Sequence, residues 1–294
     1  MHTATYYIDL LLSGITVGSL YALIAIGYTM VYGILRLINF AHGDIFMMSG
    51  FFMIYVSATL PMAVSIPVVL LMTVLLGVLI ERAAYKPLRS APRMSVMISA
   101  IGVSYLLQNL ATYITGGLAR PYPEISFLKK SFAVGSLNIK IITLLTPVLT
   151  ILLVISLVIF IKHTKTGMAM RAVSKDFDTA RLMGIKVNSV ITVTFIIGSF
   201  LAGVGSILYF TNYGQVSPTI GAMPGLKAFV AAVFGGIGSI PGAVIGAFII
   251  GICETLIKGT SMTVFSDAFT FALLIVILVV KPTGLFGEKA TDKV

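Results

Sequence analysis

Charge is what this chain has least of. Only 10% of its 294 residues are Asp, Glu, Lys or Arg, against roughly 25% in an average soluble domain. Hydrophobic residues make up 58%, and mean hydropathy is +1.05. That composition excludes an ordinary soluble globule and predicts an integral membrane protein, with about 20 apolar residues for each spanning helix. Cysteine is nearly absent too. Cys253 stands alone in an apolar run, so no internal disulfide forms, and it reads as a small core residue. The net charge of +10 fits loops beside an anionic leaflet, not nucleic acid. Residues 1–9 hold no Lys or Arg, and the apolar run after them exceeds an h-region of about 7–15 residues. The first segment is therefore expected to remain as a membrane helix.

Catalytic signatures are missing as well. The chain has no Gly-x-x-x-x-Gly-Lys-Ser/Thr loop, so it cannot cradle ATP phosphates in that manner. It has neither His-Glu-x-x-His nor Gly-x-Ser-x-Gly, the zinc and nucleophile-elbow patterns. Ala41-His42-Gly43-Asp44 falls one residue short of Gly-x-Gly-Asp, and no Tyr-Asp pair supplies the second carboxylate that acid–base proteolysis needs. His42 has no second His at ligand spacing. The sequence argues against a membrane enzyme, and any ATP that drives this chain is bound by another polypeptide.

What is present is a series of apolar spans, at about 9–33, 38–59, 62–81, 95–117, 140–161, 189–211, 226–257 and 263–280. Stretch 226–257 is long for one crossing and is interrupted by Gly235, Gly236, Gly238, Pro241 and Gly242. Two short helices joined at Gly-Ser-Ile-Pro-Gly (238–242) fit better than one. Basic residues gather in loop 81–93, in loop 162–187 and in the tail with Lys281, Lys289 and Lys293, which the positive-inside rule places in the cytoplasm. An even number of crossings must then separate loop 162–187 from the tail, and a broken 226–257 satisfies that parity. Counting back places the N-terminus outside, Arg36 inside and loop 118–139 outside, although Arg120, Lys129 and Lys130 suit an outer loop poorly. The expected fold is an all-α, polytopic transmembrane bundle of about eight to nine crossings with one broken helix, forming a single domain over 1–294.

Small residues recur every fourth position in Gly14-Gly18-Ala22, Gly198-Ala202-Ser206 and Gly238-Gly242-Gly246, which lets helices pack closely in lipid. The third run borders a broken helix, a common neighbour of a transport path. Gly235, Gly236, Gly238, Ser239 and Gly242 are accordingly the candidate pathway residues. The ionisable residues inside spans, Asp44, Glu254 and Asp267, are expected near a membrane face in structural hydrogen bonds. In loop 162–187, Thr164 or Thr166 is placed to cap a helix starting near Gly167. On that helix Ala172, Asp176, Ala180 and Gly184 would stack along one face, where a soluble partner can sit close.

These residues resemble a known family. Gly18-Ser-Leu-Tyr-Ala-Leu-Ile-Ala-Ile-Gly-Tyr-Thr-Met-Val-Tyr-Gly33 and Ile38-Asn-Phe-Ala-His-Gly-Asp44 are similar to the shorter permease subunit of bacterial branched-chain amino acid ABC importers. So are Lys165-Thr-Gly167, Met170-Arg-Ala172, Asp176, Ala180, Gly184-Ile185, Gly225-Leu-Lys-Ala-Phe229, Gly235-Gly-Ile-Gly-Ser-Ile-Pro-Gly242 and Lys281-Pro-Thr-Gly-Leu-Phe-Gly287. The resemblance runs nearly end to end. It implies a multi-pass protein of the bacterial inner membrane with no cofactor of its own. It also implies a second related permease, two cytoplasmic ATPases that bind the ATP, and a periplasmic binding protein delivering Leu, Ile or Val. In that analogy 167–184 is the coupling helix, with Gly167, Arg171, Ala172, Asp176, Ala180 and Gly184 facing the ATPase. Met170-Arg-Ala172 stands where the related loop motif has Glu-Ala-Ala. Permeases for urea, short amides or sugars are related, and an ion-coupled secondary transporter or a membrane scaffold are the rival readings.

Overall fold

The computed structural model describes residues 2–89, 91–134 and 137–287. The tail residues Lys289 and Lys293 lie outside them. Nine helices form the bundle among these residues: α1 (His2–Leu35), α2 (His42–Ser57), α3 (Met62–Ile80), α4 (Arg93–Thr115), α6 (Ile141–His163), α9 (Val187–Tyr213), α10 (Ala222–Gly235), α11 (Ile240–Lys258) and α12 (Ser266–Val280). The short helices α5 (Ser126–Lys129), α7 (Lys165–Lys175) and α8 (Phe177–Leu182) lie in the connections. Seven of the nine are long and apolar enough to cross a bilayer. The others, α2 and α10, have 16 and 14 residues, about 24 and 21 Å at 1.5 Å per residue.

Two long helices make the centre. In α1 and α9 about two-thirds of the apolar window is buried, against 22% in α4, 17% in α6 and 11% in α12. The small-residue runs explain how the centre closes. A Cβ added at Gly14 would lie 2.9 Å from the Ile252 Cα, and one at Gly18 2.8 Å from the Phe248 Cα. Hence α1 and α11 run antiparallel with their backbones nearly touching. On the other side, α9 lies antiparallel to α3, with Gly77 leaving room for the Ser199 hydroxyl and Gly203 fitting against Leu70 and Thr73.

The neighbours repeat in a pattern that the sequence does not advertise. Exchanging α1 with α9, α2 with α10 and α3 with α11 maps each main contact onto another. Helix α1 packs on α10 and α11 as α9 packs on α2 and α3, and α2 packs on α3 as α10 packs on α11. Each set is a long helix, an unwound stretch, a short helix and a 19-residue helix. The two short helices meet by their N-termini, where a Cβ at Gly43 would fall 2.6 Å from the Gly221 carbonyl oxygen. Paired short helices at the middle of two equivalent halves are a recurrent transporter architecture.

The expected break in 226–257 is present. Gly236 and Gly238 adopt φ of 108° and 98°, a region open to glycine but costly for other residues. Ser239 then caps α11, its hydroxyl accepting the Gly242 N–H at 3.3 Å. The basic segments converge on one end, as charge parity requires. Arg89 bonds Asn188 at the start of α9, Arg36 donates to the Ser174 carbonyl at 3.5 Å, and Gly33 lies against Gly238. At the far end, residues 118–134 and 137–140 fold into a small platform. Its strand β1 (Arg120–Pro121) pairs with β4 (Gln215–Val216) just past α9, and β2 (Ser131–Val134) pairs with β3 (Leu137–Lys140).

One expectation fails. Residues 167–184 are not a single helix: α7 stops at Lys175 and α8 starts at Phe177. Asp176 is extended between them, and its carboxylate accepts the N–H groups of Asp178 and Thr179, both at 2.9 Å. An acid in that place is a strong N-cap, so it starts a new helix instead of continuing the old one. Ala172, Asp176, Ala180 and Gly184 therefore share no common face.

Candidate coupling module and translocation face

The α7–α8 module is anchored by the cap expected at Thr164 and by a buried inner face, and of the four positions expected to dock a partner Ala180 is turned into the protein. Thr164 caps α7 by accepting the Gly167 N–H at 3.0 Å. Gly167 is buried against the Phe160 and Ile161 backbone of α6, where no side chain fits. Met170 and Val173 bury the inner face of α7, and Arg171 folds back to donate to the Lys162 carbonyl at 3.3 Å. Ala172 is half-buried. Ala180 points inward and is buried. Gly184, at φ 80°, ends α8 as a left-handed C-terminal residue, with the Ile185 N–H reaching the Ala180 carbonyl at 3.0 Å. Among exposed charged residues such as Lys165, Lys175 and Arg181 stand three large apolar ones: Met168 is 51% exposed, Leu182 87% and Met183 79%. Exposed apolar side chains clustered in a basic aqueous loop mark a contact surface.

Beside this module lies a buried acid that the sequence reading passed over. Glu81 opens a one-turn π-helix (Glu81–Tyr85) at the end of α3 and is fully buried. Arg89 pairs with one of its oxygens, and the Thr192 hydroxyl of α9 donates to the other at 3.1 Å. The same guanidinium also bonds Asn188 of α9. Burial lowers the Arg89 pKa from its ordinary value, Glu81 pulls it back up, and Arg181 of α8 pushes it down. Hence α8 lies within electrostatic range of the pair.

A second charge cluster sits toward the far end. Lys227 of α10 meets Glu254 of α11 at 2.7 Å and Asp267 of α12 at 2.6 Å. Lys258 reaches Glu254 at 2.5 Å, and the Tyr21 hydroxyl of α1 donates to Glu254 at 2.9 Å. Lys227 and Glu254 are buried, so each charge offsets the desolvation of the other. Glu254 and Asp267 thus stand in structural contacts, as their place in the spans leads one to expect, and share Lys227 as their cation.

The third feature is α4. Its half-buried side carries Ser104 and Gln108, and Gln108 donates to the buried Asp44 carboxylate at 3.0 Å. Its outer side exposes Tyr105, Asn109 and Thr112. Positions 105, 109 and 112 share one helical face. Asn109 and Thr112 donate to the Tyr105 and Gln108 carbonyls of their own helix at 2.7 and 2.8 Å. Their remaining polar atoms, with the exposed Tyr105, suit a water-filled path or another membrane subunit better than lipid. The predicted pathway residues lie elsewhere, drawn together in the tight turn between α10 and α11. There the Leu285 and Phe286 N–H groups donate to the Phe234 and Gly235 carbonyls, each at 2.9 Å, and Gly236 and Gly242 lie against residues 284–287. A shallow cleft beside the turn, lined by Tyr28, Tyr32, Ile38, Phe229, Ala232 and Ile237, is too tight to hold a water molecule.

A membrane bundle with paired short helices, a polar outer stripe and an aqueous module on its basic end describes a transport subunit. The family model of the branched-chain amino acid transport system/permease component matches residues 10–278. The chain belongs to that family. It is 41% identical to the high-affinity branched-chain amino acid transport system permease protein LivH of Escherichia coli strain K12, over 98% of each chain. Identity is 40% with the corresponding BraD permease of Pseudomonas aeruginosa, again over 98% of both. A ribose import permease, RbsC of Haemophilus influenzae, is 25% identical over 97% of this chain and 88% of its own. Membership in this permease family agrees with the seven long apolar helices.

Proposed function

We propose that this chain is one membrane-spanning subunit of an ATP-driven importer for Leu, Ile or Val in the bacterial inner membrane. The basic end is cytoplasmic and the platform end periplasmic. A second, related permease packs beside it, two ATPases dock below, and a binding protein delivers solute from above. ATP is bound and hydrolysed by the ATPases, and this chain contributes no cofactor. Supporting this reading is an exposed hydrogen-bonding stripe on a membrane helix, in a chain 41% identical end to end to a branched-chain amino acid permease.

In this mechanism the α4 stripe lines the path against the second permease, and Tyr105, Asn109 and Thr112 supply hydrogen bonds to the solute's ammonium and carboxylate as it passes. The packed glycine turn at 235–242 forms the cytoplasmic floor beside that path. Leu182 and Met183 seat in the ATPase, and the capped α7–α8 module moves as it closes. Leucine uptake into proteoliposomes tests the reading. The chain with its second permease, ATPases and loaded binding protein is expected to accumulate radiolabelled leucine only with ATP. Equal accumulation by the chain alone under an ion gradient would overturn it.

A further inference from the structure

We infer that Arg89 and Glu81 form the joint through which movement of the α7–α8 module reaches α4, with Asn188 and Thr192 as its contacts on α9. This inference rests on the coupling role proposed above and names positioning residues for it. Three observations carry it.

The first is connectivity. Gly184 closes α8, and α9 begins three residues later at Val187, so displacement of α8 is delivered first to the first turns of α9. Asn188 and Thr192 stand in those turns, one bonded to Arg89 and the other to Glu81. The second is the shape of the receiving element. Glu81 lies in the π-helical turn that ends α3, and Arg89 lies in the short link from that turn to α4. A π-helical turn marks a local departure from regular helix and often sits at functional positions. Helix α4 packs mainly on this turn and on α2, so its basic end follows wherever the turn goes.

The third is the chemistry of the pair. Glu81 is fully buried, and its described partners are Arg89 and the Thr192 hydroxyl. A buried carboxylate cannot be left behind by its cation without a large desolvation cost. If α9 shifts, Arg89 and Glu81 therefore travel together. Arg89 is also suited to hold both sides, because a guanidinium fork binds two acceptors in fixed directions. Its Nη2 takes Glu81 and its Nη1 takes Asn188.

The test uses the full complex of both permeases, ATPases and loaded binding protein, reconstituted in liposomes. It measures ATP hydrolysed and leucine imported in one preparation. The double variant Asn188→Ala/Thr192→Val removes the α9 contacts and leaves the buried ion pair intact. We expect stimulated ATP hydrolysis within twofold of wild type, leucine import about fivefold lower, and ATP consumed per leucine about fivefold higher. Asn188→Asp, which keeps the acceptor for Arg89, is expected to hold the wild-type ratio. An unchanged ratio in the double variant overturns the joint even if both rates fall, since a merely structural lesion lowers them together. An Asn188→Asp variant as uncoupled as a separate Asn188→Ala variant overturns it too. Failure of the docking reading shows separately, as ATPases that still copurify with a Leu182→Asp chain.

Discussion

The molecule holds buried charge at both ends, and the two clusters are built differently. Toward the platform, Lys227, Lys258, Glu254 and Asp267 neutralise one another and join three helices, with Tyr21 adding a fourth. At the basic end one acid meets one base, and the remaining partners are neutral groups on α9. The Arg89 Nε there is buried without a hydrogen-bond partner among the described residues. The outer cluster is closed and fixes α10, α11 and α12 on α1. The inner one is open on the α9 side, where Asn and Thr contacts exchange at far lower cost than a buried charge pair.

Four substitutions put that contrast under strain. Lys227→Met strips Glu254 and Asp267 of their shared cation and is expected to cost about 3–5 kcal/mol, read as a lower unfolding midpoint in detergent. A loss below about 1 kcal/mol would show that the outer cluster locks nothing. Glu81→Gln keeps hydrogen bonding toward Arg89 and Thr192 and is expected to cost less, about 1.5–3 kcal/mol. If it matches or exceeds Lys227→Met in the same measurement, the contrast is reversed. Asp176→Ala removes the α8 cap for about 1 kcal/mol, confined to the module, so amide exchange is expected to quicken in α8 and stay unchanged in α11. Leu182→Asp sits on an exposed site and is expected to move stability by less than about 0.5 kcal/mol. It nevertheless removes ATPase copurification, which separates a contact residue from a structural one.

Much of this architecture is legible in the amino-acid sequence. Span positions, the broken helix at 235–240 and the gathering of basic loops at one end follow from hydropathy, glycine and proline chemistry and charge parity, which are all local signals. The Gly14 and Gly18 run found its partner in α11 because small-residue spacing carries information about close packing. The internal pairing of α1–α3 with α9–α11 left no trace in the reading, since it is a relation between backbones and not between side chains. Lys227 and Glu81 were missed for a related reason. Whether a charge at a span's margin is solvated or buried depends on what another helix brings to it. The split at Asp176 does carry a local signal: an acid followed by Phe-Asp-Thr is a strong N-cap, and it ends α7 at Lys175.

The β1–β4 pairing has a consequence for how the two faces communicate. It fastens the outer platform to the chain immediately beyond Tyr213, with Tyr122 donating its N–H to the Gly214 carbonyl at 2.9 Å and its ring lying against Phe210. Helix α9 runs unbroken for 27 residues, so a tilt of roughly 10° about its midpoint swings its tips about 3.5 Å in opposite senses. A weight placed on one end of this see-saw is felt at the other without any signal passing through the core between them.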